Sequence, residues 1–357
     1  MARPIILNGK FLSQKMTGVQ RVAFSFAKGL KERFASEGNA GQFGLALPKN
    51  ADAGSLGMQA LSSSALRGVA WEQFELPVQA KNGLLINLCN VAPLTRRGDV
   101  LLIHDAQAFI SPQSYSRAFR TWYTTILPHL AKNASRVLTV SEYARKCLVE
   151  AGVSNYEKIE VIHNGVDHVL EIEGNNDVLS SLNLVPKSYF IAPGTTQAHK
   201  NIGVILEAAR QIESEGIKIV LYGSATAASF AAAGYVLPKN IVLAGRVSDS
   251  DMRGLIEGAR AFLFPSATEG FGLPPMEAMI LGTPAVVAPC GALPELVENA
   301  ALFSDANSPD AWVSTMRSLL NSDELCREYG MAGMRQAGKF SWDSATRKLY
   351  RVILETQ

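Results

Sequence analysis

Two glutamates, Glu269 and Glu277, are separated by seven residues in the stretch ATEGFGLPPMEAM. Between them lie a Gly-Phe-Gly turn and two prolines, Pro274 and Pro275, which suit the start of a helix. The preceding run, AFLFPS, is typical of a buried strand. The sequence therefore predicts a strand, a loop and a helix in succession, with Glu269 on the loop and Glu277 in the first helical turn.

This arrangement suits a sugar linked to a phosphate. Gly270 and Gly272 allow backbone angles that turn amide groups toward an anion, beside the positive end of a helix dipole. A carboxylate accepts two hydroxyl donors at once, so Glu269 and Glu277 could bind sugar and ribose hydroxyls. The structural alternative is that Glu277 favours the helix dipole and Glu269 is solvated.

Apolar runs alternate with amphipathic stretches such as GVQRVAFSFAKGLKERF and NIGVILEAARQIESEG along the whole chain. Most of the runs are rich in Val, Ile and Leu without polar alternation, which is typical of strands buried on both faces of a parallel sheet. The pattern predicts an α/β fold with two open, doubly wound sheets that bind ligands at the carboxyl ends of their strands. The runs are PIILNG, FGLALP, LLINLC, VLLIHDA, RVLTVSE and IEVIHNG in the first half, then YFIAPG, IKIVLYGS, NIVLAGRV, AFLFPS, PAVVAP and ALFSD.

Two domains are expected because 357 residues exceed the usual single-domain size of about 100 to 200 residues. The polar, turn-rich segment 164–177, NGVDHVLEIEGNND, predicts the boundary. A cleft between two such domains is the expected ligand site.

Composition favours a soluble cytoplasmic enzyme. The chain is 47% hydrophobic and 18% charged, and its four cysteines show neither a C-x-x-C spacing nor a cluster with histidine that would indicate a metal site. The run in MARPIILNGKF is too short for a signal peptide, and no stretch approaches the ~20 apolar residues of a membrane span.

Charge is uneven along the chain. Residues 1–165 hold 19 Lys and Arg against 11 Asp and Glu, whereas the remainder is net acidic. A basic half suits an anionic partner, and SRAFRTWYTTILPHLAKNASR, which mixes basic and aromatic residues, suits an anionic membrane surface. The alternatives are an unevenly charged surface and a helix that packs on its own domain. Nucleic-acid binding is not expected, because no recognised motif accompanies the charge.

The longer stretch FPSATEGFGLPPMEAMILGTPAVVAPCGALPE closely resembles the signature of family 4 retaining glycosyltransferases, which have the GT-B fold of two Rossmann-like domains. The resemblance covers nearly the whole chain, through TGVQRVAFSFAKGL, HDAQAF, VSEYARK, IHNGVD, PGTTQAHKN and FSWDSATRKLYRVILE. It implies an acceptor-side domain of residues 1–168 plus 341–357, to which the carboxyl-terminal helix returns. Residues 169–340 would form the domain that binds the nucleotide sugar.

The resemblance also assigns roles to residues of the second domain. Glu269 corresponds to the glutamate beside the transferred sugar, and Glu277 to the one that binds the ribose. Lys200 corresponds to the cation that neutralises the donor diphosphate. Arg246 in LAGRVSD lies in the segment that contacts the nucleobase, with a structural arginine as the alternative. The loop whose backbone amides meet sugar and phosphate corresponds to Gly270, Phe271, Gly272 and Leu273.

Fewer roles carry over to the first domain. His104 corresponds to a histidine that contacts the donor sugar, and Asp105 would orient it or contact sugar. Gly18, in a Thr-Gly pair where the family often has Gly-Gly, would allow close approach of a sugar phosphate, and Arg21 would meet an anionic acceptor.

The second domain also departs from the family at two positions. His199 stands where the family often has Arg, and Thr195 where a basic residue is frequent. The diphosphate would therefore meet fewer fixed charges.

The implied function is transfer of a hexose from a nucleotide diphosphate sugar to a hydroxyl of a growing glycan, free or lipid-linked, with retention at the anomeric carbon. HDAQAF and PGTTQAHKN most resemble bacterial mannosyl- or rhamnosyl-type polysaccharide enzymes, which suggests mannose from GDP-mannose, with UDP- and dTDP-sugars left open. No cofactor or metal is expected, and a peripheral position on the inner face of the membrane would suit the basic domain. The alternative function is a non-catalytic protein of the same fold that binds a nucleotide sugar or a glycan. A glycosidase and an oxidoreductase are less favoured, the latter because no G-x-G-x-x-G follows the first strand.

Overall fold

The computed structural model describes residues 3–357, and within it the chain forms two compact units. The first unit, here the N-terminal unit, comprises residues up to Gly165 together with Ser341–Gln357, and the second, the C-terminal unit, is Val166–Phe340. Each unit holds one six-stranded sheet in which every pairing is parallel. The predicted α/β class with two doubly wound sheets is confirmed.

The N-terminal sheet has the order β2-β1-β3-β4-β5-β6. Because β1 lies between β2 and β3, the direction in which strands are added reverses there, and the carboxyl ends of β1 and β3 open a crevice. The strands are β1 Ile5–Asn8, β2 Phe43–Ala46, β3 Leu84–Asn87, β4 Val100–Leu102, β5 Arg136–Thr139 and β6 Ile159–Val161. The helices are α1 Gly18–Ser36, α2 Gly68–Ala70, α3 Leu76–Gln79, α4 Gln107–Ile110, α5 Arg117–Asn133 and α6 Glu142–Glu150.

The C-terminal sheet has the order β12-β11-β10-β7-β8-β9, so its direction reverses between β7 and β10. The strands are β7 Tyr189–Pro193, β8 Lys218–Tyr222, β9 Ile241–Gly245, β10 Ala261–Phe264, β11 Ala285–Val287 and β12 Leu302–Phe303. The helices are α7 Asp177–Ser181, α8 Ile202–Gln211, α9 Ala227–Ala232, α10 Asp249–Gly258, α11 Leu273–Ile280, α12 Leu293–Val297, α13 Pro309–Asn321 and α14 Asp323–Ala337.

Burial follows the position of each strand in its sheet. The central strand β10 is buried along its whole length, because helices cover both faces of the sheet. Edge strand β9 is only half-buried, so the expectation of strands buried on both faces does not hold at this edge.

The last helix, α15 Trp342–Thr356, belongs to the N-terminal unit and packs on α1. Phe26 meets Trp342 edge-on with ring centroids 5.3 Å apart, and Phe34 meets Tyr350 at 4.8 Å. Gly29 permits this approach, since a Cβ there would lie 2.4 Å from the Thr346 hydroxyl oxygen. In residues 3–357, no helix is both long and apolar enough to cross a bilayer.

Candidate active site

The loop after β10 turns sharply into α11. Gly272 caps the helix with φ of 90°, and a Cβ at this position would lie 2.6 Å from a methyl carbon of Leu293, so the turn requires glycine. Pro274 and Pro275 follow in the first turn and provide no amide donors there. Within that turn, the amide of Leu273 is thus the one best placed to face an anion beyond the loop.

Glu277 lies one turn further along than predicted. Helix α11 begins at Leu273, which makes Glu277 its fifth residue, and the first turn holds no acidic residue. The prediction of Glu277 in the first turn was wrong because the left-handed Gly272 starts the helix before the two prolines rather than at them.

The backbone of Glu269 packs against a second glycine turn, at Gly291. The amide of Ala292 donates to the carbonyl of Glu269 at 3.0 Å. Gly291 has φ of 66°, and a Cβ there would lie 2.4 Å from the Glu269 nitrogen. Gly291 belongs to the G-x-x-PE part of the signature, so the sequence marked this position without revealing that it fixes Glu269.

Lys200 and Glu269 form an ion pair at the reversal point of the sheet. Their Nζ and Oε1 atoms are 2.7 Å apart, and the Lys200 and Glu269 side chains are 26% and 12% exposed. Lys200 follows β7 and Glu269 follows β10, the two strands that flank the reversal. The crevice predicted from strand order therefore contains a carboxylate and an ammonium in contact.

Backbone and side-chain bonds tie these two loops together. The amide of Ala267 donates to the carbonyl of His199 at 2.8 Å, and the Asn201 side chain donates to the carbonyls of Pro265 and Ala306. Lys200 also lies over the ring of Phe264, with Nζ 5.7 Å from the centroid. These contacts fix Lys200 before any ligand arrives.

His199 does not replace the positive charge that the family often has at this position. Its side chain is buried, and burial together with the adjacent Lys200 lowers its pKa below the ordinary value, although Glu269 opposes the shift. A histidine with a lowered pKa is neutral at pH 7. Thr195 accepts a hydrogen bond from the Gln197 amide and carries no charge. Lys200 is consequently the one fixed cation among these three positions.

Glu277 has a partner that sequence reasoning missed. The Nε2 atom of His168 lies 3.2 Å from Glu277 Oε1, and the two side chains are only 14% and 17% exposed. His168 belongs to the 3-10 turn Asp167–Glu171, inside the segment 164–177 that the sequence predicts as the domain boundary. A polar residue in a turn-rich segment gives no signal of such a contact.

Two further residues lie near the edges of this region. Arg246 is exposed just after β9, and within residues 3–357 it makes no ion pair with an acidic side chain. Ser266, between β10 and Glu269, has a buried hydroxyl without a hydrogen-bond partner in the described chain. A buried orphan hydroxyl is uncommon and is suited to a ligand contact.

In the N-terminal unit, His104 is held by the fold on both its backbone and its ring. Its amide donates to Asn90 Oδ1 at 2.7 Å, and Nε2 is 2.8 Å from the carbonyl oxygen of Leu88. Since a carbonyl only accepts, Nε2 carries the proton. Burial lowers the pKa of His104 to about 4, so the imidazole is neutral. A sugar contact through Nε2 is not available in this arrangement.

The other predicted residues of this unit lie at helix starts. Asp105 accepts from the amide of Gln107 at 2.9 Å at the start of α4. Gly18 is the exposed first residue of α1, and the amide of Arg21 donates to the Thr17 carbonyl at 2.9 Å. Within residues 3–357, no three His, Cys, Asp or Glu side chains are grouped so as to hold a metal ion.

Two family models match the chain. Residues 180–336 match the model described as Glycosyl transferases group 1, and residues 88–170 match Glycosyltransferase Family 4. The O-antigen chain mannosyltransferase RfbU of Salmonella typhimurium is 26% identical over 271 residues, 72% of each chain. The O-antigen chain mannosyltransferase B of Escherichia coli is 29% identical over 269 residues, 69% of this chain and 68% of that protein.

Solved structures cover nearly the whole chain. HepE from Anabaena, in complex with UDP and glucose, aligns with a TM-score of 0.75 at 16% identity over 98% of this chain and 99% of that one. WaaG, a glycosyltransferase involved in lipopolysaccharide biosynthesis, aligns with a TM-score of 0.69 at 15% identity. The alignment covers 98% of this chain and 99% of that one. At such identities the likeness concerns the fold alone, and it confirms the predicted architecture.

Proposed function

From the match of this chain to the group 1 and family 4 glycosyltransferase models and from its GT-B fold, we propose a retaining hexosyltransferase. It transfers a hexose from a nucleotide diphosphate sugar to a hydroxyl of a growing glycan. GDP-mannose is the proposed donor and mannose the proposed transferred sugar, supported by the two O-antigen mannosyltransferase relatives. UDP- and dTDP-sugars are the competing donors, since HepE is a neighbour of the same fold solved with UDP and glucose.

The observation that carries the proposal is the 2.7 Å pair between Lys200 and Glu269 beside the loop Gly270–Leu273. An ammonium has three donors, so Lys200 can keep Glu269 and still donate to a phosphate oxygen. Negative charge on the departing diphosphate grows as the glycosidic bond breaks. A cation fixed in advance stabilises that transition state more than it stabilises the bound substrate.

The proposed reaction requires no side chain that acts as a general base. The bond between C1 of the sugar and the phosphate oxygen breaks, and a bond from the acceptor oxygen to C1 forms on the same face. The departing phosphate oxygen takes the acceptor proton. Glu269 accepts hydrogen bonds from donor sugar hydroxyls, while His104 serves the fold rather than proton transfer because its Nε2–H is bound to Leu88.

On the nucleoside side, Glu277 accepts from the ribose hydroxyls and His168 holds its carboxylate in place. Arg246, exposed after β9, is the proposed contact for the nucleobase. The diphosphate charge is neutralised by Lys200 and the loop amides, without a metal or other cofactor. Transfer that continues unchanged in EDTA would support this assignment, and transfer that requires added Mg²⁺ or Mn²⁺ would contradict it.

The acceptor is proposed to be lipid-linked, with the N-terminal unit in peripheral contact with an anionic membrane on its cytoplasmic face. Helix α5 supports this, because Phe119 and Trp122 are each 41% exposed beside the exposed Arg117 and Arg120. Cosedimentation with vesicles of phosphatidylglycerol at low salt tests the contact. Loss of binding in Trp122→Ala would support it, and no binding by the unmodified protein would refute it.

The direct test is turnover with purified protein, GDP-, UDP- and dTDP-sugars and a mannose-containing acceptor, followed by NMR of the anomeric proton. An α-linked donor should give an α-linked product. A β-linked product would contradict retention. Nucleotide binding without any transfer would favour the alternative of a non-catalytic sugar-nucleotide or glycan-binding protein.

A further inference from the structure

The N-terminal unit contains a cavity at the reversal point of its own sheet. The cavity, here called the β1–β3 pocket, has a volume of about 310 Å³. It opens at the carboxyl ends of β1 and β3, where strand order predicts a ligand crevice. Its size is at the lower end of the range for small-molecule sites. The residues used below are Asn8, Lys10, Gln14, Glu72, Asn90 and Tyr123.

A buried polar cluster forms one wall of the pocket. Lys10 Nζ lies 2.6 Å from Glu72 Oε2, and the Lys10 and Glu72 side chains are 12% and 2% exposed. The side-chain Nδ2 of Asn8 donates to Glu72 Oε1 at 3.3 Å and to Asn87 Oδ1 at 3.0 Å. The charges of Lys10 and Glu72 cancel, so this wall presents donors and acceptors without a net charge, while the other lysine of the lining, Lys15, is exposed. Such a wall suits hydroxyl groups better than a phosphate.

Glu72 reaches the pocket from a π-helical segment of the backbone. It lies in the π-helical segment Trp71–Glu75, between the short helices α2 and α3. Single π-helical turns inside helices are rare and are frequently found at functional sites. Glu75, at the end of the segment, accepts from the amides of Ala65 and Leu66, which anchor it. The fold thus supports a distorted turn that places one carboxylate in a cavity.

A second part of the pocket lining is fixed by His104. Asn90, at φ of 66°, accepts the His104 amide hydrogen bond, and the His104 ring donates to the carbonyl of Leu88. Both Leu88 and Asn90 line the pocket. His104 is therefore a positioning residue for this part of the lining.

Two aromatic rings also line the pocket. Phe119 and Tyr123, from α5, line the pocket and stack with centroids 5.0 Å apart and planes 20° apart. The Tyr123 side chain is nearly buried, and burial raises its pKa well above the ordinary value, so the phenol keeps its proton. An aromatic face beside hydroxyl partners is the combination that a sugar ring requires, since a pyranose has an apolar face and a polar rim.

We propose that the β1–β3 pocket binds a neutral pyranose unit of the acceptor, with Asn8, Lys10 and Glu72 on its hydroxyls and an α5 ring on its apolar face. The proposal rests on the proposed transferase function. It differs from the expectation of an anionic acceptor at Arg21, which is not a lining residue of this pocket.

The test uses saturation-transfer NMR on the whole protein with two probes, methyl α-D-mannopyranoside and mannose 6-phosphate. Gln14 is exposed and lines the pocket mouth, so Gln14→Trp should obstruct it without disturbing the buried cluster. Gln42 is an exposed glutamine that lines a different cavity of the same unit, so Gln42→Trp is the matched control. Nucleotide binding is measured on the same samples.

We expect a saturation-transfer signal from the neutral mannoside with the unmodified protein and with Gln42→Trp, and no signal with Gln14→Trp. The Gln14→Trp substitution should also raise the acceptor KM at least about tenfold. Nucleotide affinity should be unchanged in all three proteins. A mannoside signal that survives Gln14→Trp, or binding of the phosphate probe alone, would overturn the proposal. Nucleotide binding without mannoside binding would refute the pocket while leaving the transferase function standing, whereas failure of both would refute both.

Discussion

The two reversal points are built by different means. In the C-terminal unit, the region between β7 and β10 is shaped by backbone: Gly272 and Gly291 adopt left-handed angles and bring Glu269 against Lys200. In the N-terminal unit, the region between β1 and β3 is shaped by side chains, with Lys10, Glu72 and Asn8 bonded to one another in a buried cluster.

This difference explains what each region reveals in sequence. Glycine turns leave a compact pattern, because every residue that fixes Glu269 from the loop side lies between positions 269 and 292. Lys10 and Glu72 are 62 residues apart in the chain, so their contact leaves no compact sequence pattern. The difference also predicts that substitutions at Lys200 and Glu269 reduce chemistry, and that substitutions in the buried Lys10–Glu72 cluster reduce folding stability.

The largest effect is expected for Lys200→Met. Removing the fixed cation should lower kcat by about a thousandfold, because its attraction to the leaving group increases in the transition state. Steady-state kinetics measure this, and the exposed Lys239 of the same unit gives the control Lys239→Met. Equal losses in both variants would mean that Lys200 has no special role.

Glu72→Gln should instead reduce stability, by about 3 kcal/mol, since it leaves the Lys10 ammonium buried without its partner. Chemical denaturation at pH 7 measures the change. The double variant Lys10→Met, Glu72→Gln should recover most of the loss, because no buried charge then lacks a partner. A single variant as stable as the unmodified protein would contradict the account of this cluster.

Acid should destabilise the N-terminal unit through His104. Its pKa of about 4 in the folded state lies below the ordinary 6.5, so the unfolded chain binds more protons between these values. The destabilisation caused by His104 is below about 0.5 kcal/mol above pH 6.5 and grows as pH falls, reaching about 2 kcal/mol near pH 5.

His104→Gln should remove this pH-dependent part of the denaturation free energy, and His129→Gln, at an exposed histidine of the same unit, should keep it. Identical pH profiles for the unmodified protein and His104→Gln would show that His104 is not the group that titrates.

The smallest effect is expected for His168→Ala. Loss of one hydrogen bond to Glu277 should weaken nucleotide binding by about 1 kcal/mol, roughly fivefold, and leave kcat nearly unchanged. Titration calorimetry measures the nucleotide affinity, and steady-state kinetics measure KM and kcat separately. The variant His168→Gln, which retains a hydrogen-bond donor, should recover part of the affinity. A fall in kcat without a change in affinity would contradict a positioning role.

The strands of both sheets were predictable because each of the twelve is a short apolar run between polar segments. The start of α11 was not, because a left-handed Gly272 moved the helix start to Leu273, ahead of the prolines. The contact of His168 with Glu277 and the entry of Glu72 through a π-helical turn depend on tertiary packing, which periodicity does not encode. Local patterns therefore predicted the loop that carries Glu269, and the family resemblance added Lys200, whereas the β1–β3 pocket needed the structure.

The central claim is that Lys200 and Glu277 hold a nucleoside diphosphate. Thermal stabilisation by GDP, UDP, dTDP, ADP and CMP tests it most directly, because a ligand at a hundredfold excess over Kd stabilises the folded state by about 2.7 kcal/mol. We predict stabilisation by one diphosphate, little by the monophosphate CMP, and loss of the effect in both Lys200→Met and Glu277→Ala. No stabilisation by any diphosphate, or equal stabilisation of both variants, would contradict it.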